Sequence, residues 1–369
     1  MQIILHNRQE GLTKEYNEHN IGHRQTDRQT DRQTRDISLD YAKGIGIFLV
    51  ILGHAICYTD CSNDARYINH IIYSFHMPLF FMISGMLLYK KINSTEIIRK
   101  KEATKMCNRL LIPYFTWSFI YLLPGSLLHG GISWERIIAV ISFRGVAPIW
   151  FLGALFFAEI LFIYTIKKEY KFKKNCVIFA GIVSLSFVAQ CIFNNYKDNI
   201  PFELLYLLIF VFRELLAYAF VVCGYELARL FKNHESKKII FVLSSIGFFS
   251  IQLYTNNGVN MHTFAFENIF IFIATGILGS TLVISICDIF KNKDLHFVSN
   301  AGKNSFDLMI THHPPFPFIK IFAFLSNKLT GEIIISIIFI LTLICTYTTT
   351  YFLQSVRMFC KKRNINIYI

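Results

Sequence analysis

The fold class predicted for this chain is all-α, a polytopic membrane helix bundle of about ten transmembrane helices, and three observations predict it. Hydrophobic residues make up 53% of the 369 and aromatic ones 16%, charged residues fall to 17%, and the mean hydropathy is +0.42. A soluble core needs far less apolar surface. Apolar runs of about 20 residues, which span about 30 Å of hydrocarbon as helix, recur along most of the sequence. The basic residues collect in alternate connections between those runs, as membrane insertion requires.

The first 36 residues read as a disordered cytoplasmic tail. Gln25 to Thr34 is QTDRQTDRQT, a four-residue period without apolar content that cannot bury a core. Lacking an apolar stretch and a small-residue cleavage site, the tail does not read as a signal peptide. A four-base unit such as CAGA returns to frame every three units and translates as Gln-Thr-Asp-Arg. Such tracts slip during replication, so the period reads as a switch on translation of the downstream membrane domain.

The transmembrane domain is expected over residues 37–356. Its first segment, Ile37 to Tyr58, is interrupted only by Asp40, Lys43 and His54. The second, Ile68 to Tyr89, carries His76 just before Pro78 and closes on Lys90 and Lys91. The third, Leu110 to Leu128, comes after Arg109; the fourth, Ile149 to Ile166, opens on Trp150 and closes on a lysine run. Cys176 to Phe193 and Leu204 to Phe231 come next, the latter with Arg213, Glu214 and Glu226 inside it. Ile239 to Tyr254 and Ile269 to Cys287 contain no Lys, Arg, Asp or Glu. In the ninth, Ser305 to Leu325, His312 and His313 precede the breaker run PPFP, so an interrupted helix with rings facing a polar cavity is expected. Ile333 to Leu353 is the tenth, and a basic cytoplasmic tail covers residues 357–369.

With the N-terminus cytoplasmic, the cluster Lys90, Lys91, Arg99, Lys100, Lys101, Lys105 and Arg109 and the later Lys167, Lys168, Lys171, Lys173 and Lys174 all fall on the inner side. Adding or removing one crossing would invert every later loop. The asymmetry therefore supports an even count and two cytoplasmic termini, in the inner (cytoplasmic) membrane of a bacterium. It also explains the net charge of +13 without nucleic acid as a partner. The nine cysteines lie mostly in apolar segments, no pair has metal-site spacing, and no metal is expected.

Titratable groups inside such segments are costly and mark function. Lys43 and His54 stand 11 residues apart, close to three helical turns, so both point the same way, about 16 Å apart along the axis. Alone, Lys43 reads equally as a snorkelling anchor and His54 as a hydrogen-bonded packing residue; the pair on one stripe is the signal. His76 and His312 are further candidates for the chemistry. Trp150 can stack on a sugar or simply pack, and Glu267, near the outer face, is a weaker acceptor-site candidate.

Five motifs, in order, resemble the integral-membrane acyltransferase 3 family, especially its fucose 4-O-acetylase-like branch. They are LDYAKGIGIFLVILGH from Leu39 to His54, FHMPLFFMISGMLL from Phe75 to Leu88, NRLLIPY from Asn108 to Tyr114, IWFLGALFFAEIL from Ile149 to Leu161, and GKNSFDLMITHHP from Gly302 to Pro314. Most relatives carry Arg where this chain has Lys43, and Phe306 replaces a commonly aromatic-hydroxyl position. No esterase-like domain follows the last segment, so an acceptor handed through one is not expected.

The resemblance implies an enzyme that moves an acyl group, usually acetyl, from cytoplasmic acyl-CoA to a sugar hydroxyl of a surface glycan such as lipopolysaccharide, lipooligosaccharide or capsule, or to a lipid-linked sugar. Acetyl-CoA is then the expected donor, held at its phosphates by Lys43, Lys105 and Arg109, with membrane lipid around the bundle. His54 is implied as general base for the acceptor hydroxyl or as acyl carrier, supported by His76 and His312, with Trp150, Ser305 and Glu267 toward the substrate. The rival class is a transporter or flippase of a glycan or lipid-linked sugar, which has no need of the Lys43 to His54 stripe beneath a basic face.

The repeat generates the first prediction. Sequencing the 5′ end of the gene across single-colony isolates is expected to show varying numbers of a four-base unit; an interrupted, invariant tract would remove the switching reading.

Overall fold

Backbone amides in hydrocarbon must find partners inside the protein, and a continuous apolar run satisfies them only as a helix. The computed structural model describes residues 35–57, 59, 61–94, 99–129, 133–166, 172–255, 257–313, 324 and 332–363. The QTDR tract, the PPFP run and the end of the basic tail lie outside the described residues.

Helix α1 spans Ile37–Cys57 and α2 Asn63–Ser94, with Pro78 inside it. Helix α3, Arg99–Met106, runs through a π-helical turn, Cys107–Leu111, into α4, Ile112–His129. The short α5, Trp134–Ile141, leads through a 3-10 turn, Ala147–Ile149, to α6, Trp150–Thr165. Helices α7, Phe172–Tyr196, α8, Phe202–Leu230, and α9, His234–Tyr254, come next. Strands β1, Val259–Asn260, and β2, Ala265–Phe266, pair antiparallel before α10, Ile269–Ile289. The chain ends with α11, His296–Lys303, α12, Ser305–Thr311, and α13, Glu332–Lys362.

Seven of these helices are long and apolar enough to cross a membrane among the described residues: α1, α2, α7, α8, α9, α10 and α13. Of the other three expected crossings, the third and fourth are helices of 18 and 16 residues. The ninth is helical over Ser305–Thr311, and its later part lies outside the described residues.

Burial sorts the helices. The apolar window of α2 is 72% buried against protein, whereas that of α9 is only 17% buried and leaves Ile239, Leu243, Ile246, Phe249 and Leu253 exposed. Helices α1, α2, α8 and α10 therefore form the inside of the bundle, and α7, α9 and α13 present apolar faces suited to lipid tails.

Two glycine contacts set how closely the inner helices approach. A Cβ on Gly85 of α2 would strike the Val221 carbonyl oxygen of α8, and one on Gly224 of α8 would strike the Met82 carbonyl oxygen of α2. Those backbones touch because neither residue has a side chain there. A Cβ on Gly44 would likewise meet the Val298 carbonyl, and one on Gly302 the Asp40 carbonyl, so α1 lies directly on α11. The hydroxyl of Tyr41 fastens the same contact by donating to the Lys293 carbonyl at 2.6 Å. The glycine of the GKNS motif is thus a packing requirement.

Gly224→Ala is expected to cost about 1–3 kcal/mol as the two helices separate to admit one methyl. Gly181→Ala, with nothing within 4 Å of the added carbon, is the control. Detergent thermal unfolding curves that shift equally for both would refute the close-crossing account.

Candidate active site

Two cavities with shared walls lie inside the bundle among the described residues. The larger, about 700 Å³, is lined by Lys43 of α1, Lys91 of α2, Lys105 of α3, Arg109 of the π-helical turn and Arg357 of α13, with Ser305 at the start of α12. Five cations face two carboxylates, Glu102 and Glu159, around this space. Arg109 sits within the π turn, a local irregularity of the kind often found at functional sites.

Each inward charge has a partner. Lys43 Nζ lies 2.8 Å from Asp40 Oδ1. The buried Glu102 carboxylate is paired with Lys91 and, at 3.3 Å, with Lys105. Burial would raise the Glu102 carboxyl, but the two lysines outweigh it and hold it below the ordinary range. Glu159, 3% exposed, accepts from the Ser84 hydroxyl at 2.6 Å on one oxygen and from Arg109 on the other. Arg357 donates to both oxygens of Asp307, at 2.8 and 2.9 Å.

The smaller cavity, about 190 Å³, is lined by His54, Tyr73, His76, Trp150, His262 and His313, with Asn260 beside them. No carboxylate lines it among the described residues. The His54 ring centroid is 5.3 Å from that of His312 and 5.3 Å from that of His313. Tyr73 bridges the group, 6.3 Å from His54 and 4.9 Å from His76.

Backbone carbonyls fix two tautomers. His76 Nδ1 lies 2.9 Å from the Ile72 oxygen and His312 Nδ1 3.2 Å from the Leu308 oxygen. A carbonyl only accepts, so each Nδ1 carries the proton and each Nε2 keeps its lone pair. The His312 Nε2 has no hydrogen-bond partner among the described residues. No three of the described His, Cys, Asp or Glu side chains converge as a metal site.

Phe80, Phe151 and Met309 belong to the walls of both cavities. The Phe80 and Phe151 rings sit 5.6 Å apart, making an apolar constriction between the basic and the histidine compartments.

The residues singled out in the sequence fall into place unequally. Lys43, Lys105 and Arg109 share the basic cavity, and His54, His76 and Trp150 share the histidine cavity. His312 is fully buried behind His54, and it is His313 that reaches the cavity wall. Ser305 faces the basic compartment. Glu267 is exposed, covers Gly258 and lines neither cavity. Arg213 and Glu214 pair with each other at 2.7 Å, and Glu226 binds Asn175 and Arg229.

Five participants do not stand out in the sequence as site residues: Glu159, Arg357, Tyr73, Asn260 and His262. Glu159 lies inside the IWFLGALFFAEIL motif, where a lone glutamate among apolar residues is the available signal. Arg357 falls in the expected basic tail, but α13 runs on to Lys362 and carries it into the cavity wall.

The fold, with its long apolar helices around two internal cavities, defines a multi-pass membrane protein. The chain belongs to the acyltransferase domain family, whose family model matches residues 36–351. It is 36% identical over 136 residues to the nodulation protein NolL of Mesorhizobium japonicum, a stretch covering 34% of this chain and 35% of that protein. Over 88 residues it is 41% identical to NolL of Sinorhizobium fredii, covering 22% of this chain and 23% of that protein. The chain thus spans about a third or less of the length of these curated relatives.

The Arg109–Glu159 pair can be tested apart from activity. Arg109→Ala leaves the buried Glu159 with only Ser84, and because the Arg109 side chain is 59% exposed the expected loss is about 1–3 kcal/mol, below that of a fully buried pair. Adding Glu159→Gln removes the stranded charge and is expected to recover part of that loss. Thermal unfolding of the two single variants and the double gives the coupling; strict additivity would mean that the pair carries none.

Proposed function

We propose that the protein transfers an acetyl group from cytoplasmic acetyl-CoA to a sugar hydroxyl of a cell-surface glycan, in the bacterial inner membrane. The observation that carries this reading is the junction of a basic cavity with a histidine cavity across the constriction of Phe80, Phe151 and Met309. Coenzyme A has a polyanionic head and a flexible arm ending in the thioester, and these two parts need opposite surroundings.

Lys43, Lys105 and Arg109 would hold the phosphates, with Lys91 and Arg357 adding charge from two further helices. The arm would then pass the apolar constriction and present the thioester carbonyl beside His54. A sugar hydroxyl is a weak nucleophile until its proton is taken, and His54 is the residue proposed to take it. The oxygen forms the new ester bond at the acyl carbon, the carbon–sulfur bond breaks, and coenzyme A leaves as the thiolate, which recovers the proton from the imidazolium. His76 and His312, each fixed by a backbone carbonyl, would hold their rings beside this step.

Lipopolysaccharide, lipooligosaccharide and capsule are the proposed acceptor classes, with the QTDR tract making the modification phase-variable. Mass spectrometry of surface glycans from cells with and without the gene is expected to differ by one acetyl group.

Two substitutions on one helix face separate binding from chemistry. His54→Ala is expected to bind acetyl-CoA normally while transfer falls by about a hundredfold or more. Lys43→Ala is expected chiefly to weaken acetyl-CoA binding, and Lys43→Arg to be tolerated because most members of the family it resembles carry Arg there and a guanidinium also makes charge-assisted contacts to phosphate. Correctly inserted His54→Ala protein that acetylates at a near-normal rate would move the proposed base to His76 or His313.

A further inference from the structure

The transfer step leaves part of the histidine cavity unused. Asn260 and His262, from the hairpin of β1 and β2, and Trp150, from the start of α6, line the same space as His54 and His76. Strands of two residues each cannot hold themselves in place. Other elements hold them. Gln190 of α7 donates its amide to the Phe266 and Glu267 carbonyls at 2.9 Å each and accepts from the Ile269 amide at 3.1 Å. Asn257 and Asn268 bond reciprocally across the base of the loop, at 3.0 and 2.7 Å.

The strongest hold is Arg213 of α8, which is 0% exposed. One guanidinium nitrogen donates to the Arg144 and His262 carbonyls at 3.1 and 3.3 Å, and the other donates to the Phe143 carbonyl and to Glu214, both at 2.7 Å. Its Cζ lies 5.0 Å from the Trp150 ring centroid. An arginine taken wholly out of water costs several kcal/mol before its contacts are counted, about as much as any buried ion. Three of its contacts are backbone carbonyls of the two loops that flank Trp150. Those loops also hold strained backbone: Phe143 at φ 57° and Phe264 at φ 53° are bulky residues in the left-handed region.

The hold has a chemical consequence at His262. Its ring stacks on Trp150, with centroids 5.5 Å apart and planes 15° from parallel. Nε2 is 3.1 Å from the Arg144 carbonyl oxygen, so Nε2 carries the proton and Nδ1 keeps a lone pair. Burial first, and then the charges of Arg213 and Arg144, push the pKa down to about 3. This imidazole therefore stays neutral at physiological pH and is unsuited to proton shuttling. What it supplies is a fixed hydrogen-bond acceptor. Asn260 supplies the complement: its Oδ1 accepts from the Thr263 amide at 3.3 Å, and its amide nitrogen remains as a donor.

Building on the acetyl-transfer reading, we propose that Asn260 and His262 form the acceptor subsite and read a neutral carbohydrate with neighbouring free hydroxyls. The His262 Nδ1 takes the proton of one ring hydroxyl, the Asn260 amide donates to a neighbouring oxygen, and Arg213 is the positioning residue that sets both against Trp150. A phosphate dianion or carboxylate offers no proton to Nδ1, so the pair selects against such groups at this position. A hydroxyl offers both a proton and lone pairs. A site built around a hydroxyl rejects the analogue lacking it far more strongly than an apolar pocket rejects a missing methylene.

The experiment uses the full chain in lipid nanodiscs, radiolabelled acetyl-CoA, and methyl glycosides of fucose, rhamnose, galactose and glucose with their monodeoxy analogues. His262→Phe is expected to raise KM for the best glycoside by about tenfold or more and to erase the preference for the hydroxylated sugar over one monodeoxy analogue. Acetyl-CoA affinity should stay within about twofold of wild type, since no phosphate contact is touched. Asn260→Ala is expected to relax selection at a neighbouring hydroxyl. Asn260 is exposed, so this variant should fold and carries the test if His262→Phe does not. Arg213→Lys keeps the charge but loses the fork, and is expected to blur both preferences together. Wild-type KM and wild-type deoxy preference in His262→Phe and Asn260→Ala would overturn the subsite and leave acetyl transfer standing. Wild-type protein that acetylates none of the glycosides would overturn the acetyl-transfer reading, and the subsite with it.

Discussion

A charge buried among apolar helices has to find a partner, and that constraint organises this molecule. Asp40 holds Lys43, Glu102 holds Lys91 and Lys105, Glu159 holds Arg109, Asp307 holds Arg357, and Glu214 holds Arg213. Four of these five groupings line the basic cavity, and the fifth sits behind the loops that wall the histidine cavity. These groupings therefore concentrate charge at the internal cavities, while polar pairs such as Lys237–Asp288 and Gln252–Ser74 join helices elsewhere. Moving Lys91, Arg109 or Arg357 to the lipid face would forfeit a partner on another element, so these three pairings also fix how their helices rotate about their axes.

The fold class was legible because length and hydropathy are all that a crossing requires. Seven helices meet that requirement among the described residues, and the expected third and fourth crossings are helices of 18 and 16 residues. The stripe from Lys43 to His54 was legible for the same reason, since helical periodicity comes directly from sequence spacing. Partners distant in the chain were not. Nothing in the local sequence says that Glu159 meets Arg109 fifty positions away, or that Arg357 meets Asp307. Within the His312–His313 pair the spacing could not say which ring reaches the cavity, because that depends on how α12 ends. The hairpin escaped notice since four strand residues carry no periodic signal, and the cause of its placement, Arg213, lies in a helix about fifty residues earlier.

On the acetyl-transfer reading, the apolar constriction between the cavities would have a physical role on either side of the reaction. Phosphates and their counter-cations need a wide, wettable compartment, whereas a thioester must be kept from water that would hydrolyse it. Phe80, Phe151 and Met309 divide the path at that point. Met309 belongs to α12, whose neighbour α11 is brought against α1 by the Gly302 and Gly44 contacts. The glycine of the late motif thereby bears on the position of a wall shared by both cavities, to which it contributes no side chain.

The composition of the histidine cavity bears on how its proposed base would work. In a serine-hydrolase triad a carboxylate stabilises the imidazolium that forms when histidine takes a proton. Among the described residues no carboxylate lines this cavity, and the rings nearest His54 are two more histidines and a tyrosine. An imidazolium there meets no carboxylate on those walls. On the acetyl-transfer reading that charge would be short-lived, because the departing thiolate would be a base released within reach of the same ring. On the acetyl-transfer reading one histidine would then serve as base and acid in a single passage, with the anion it needs arriving as the leaving group. Walls without a carboxylate would in that case favour transfer over idle proton exchange, because the charged ring is stabilised only when a thioester has been cleaved.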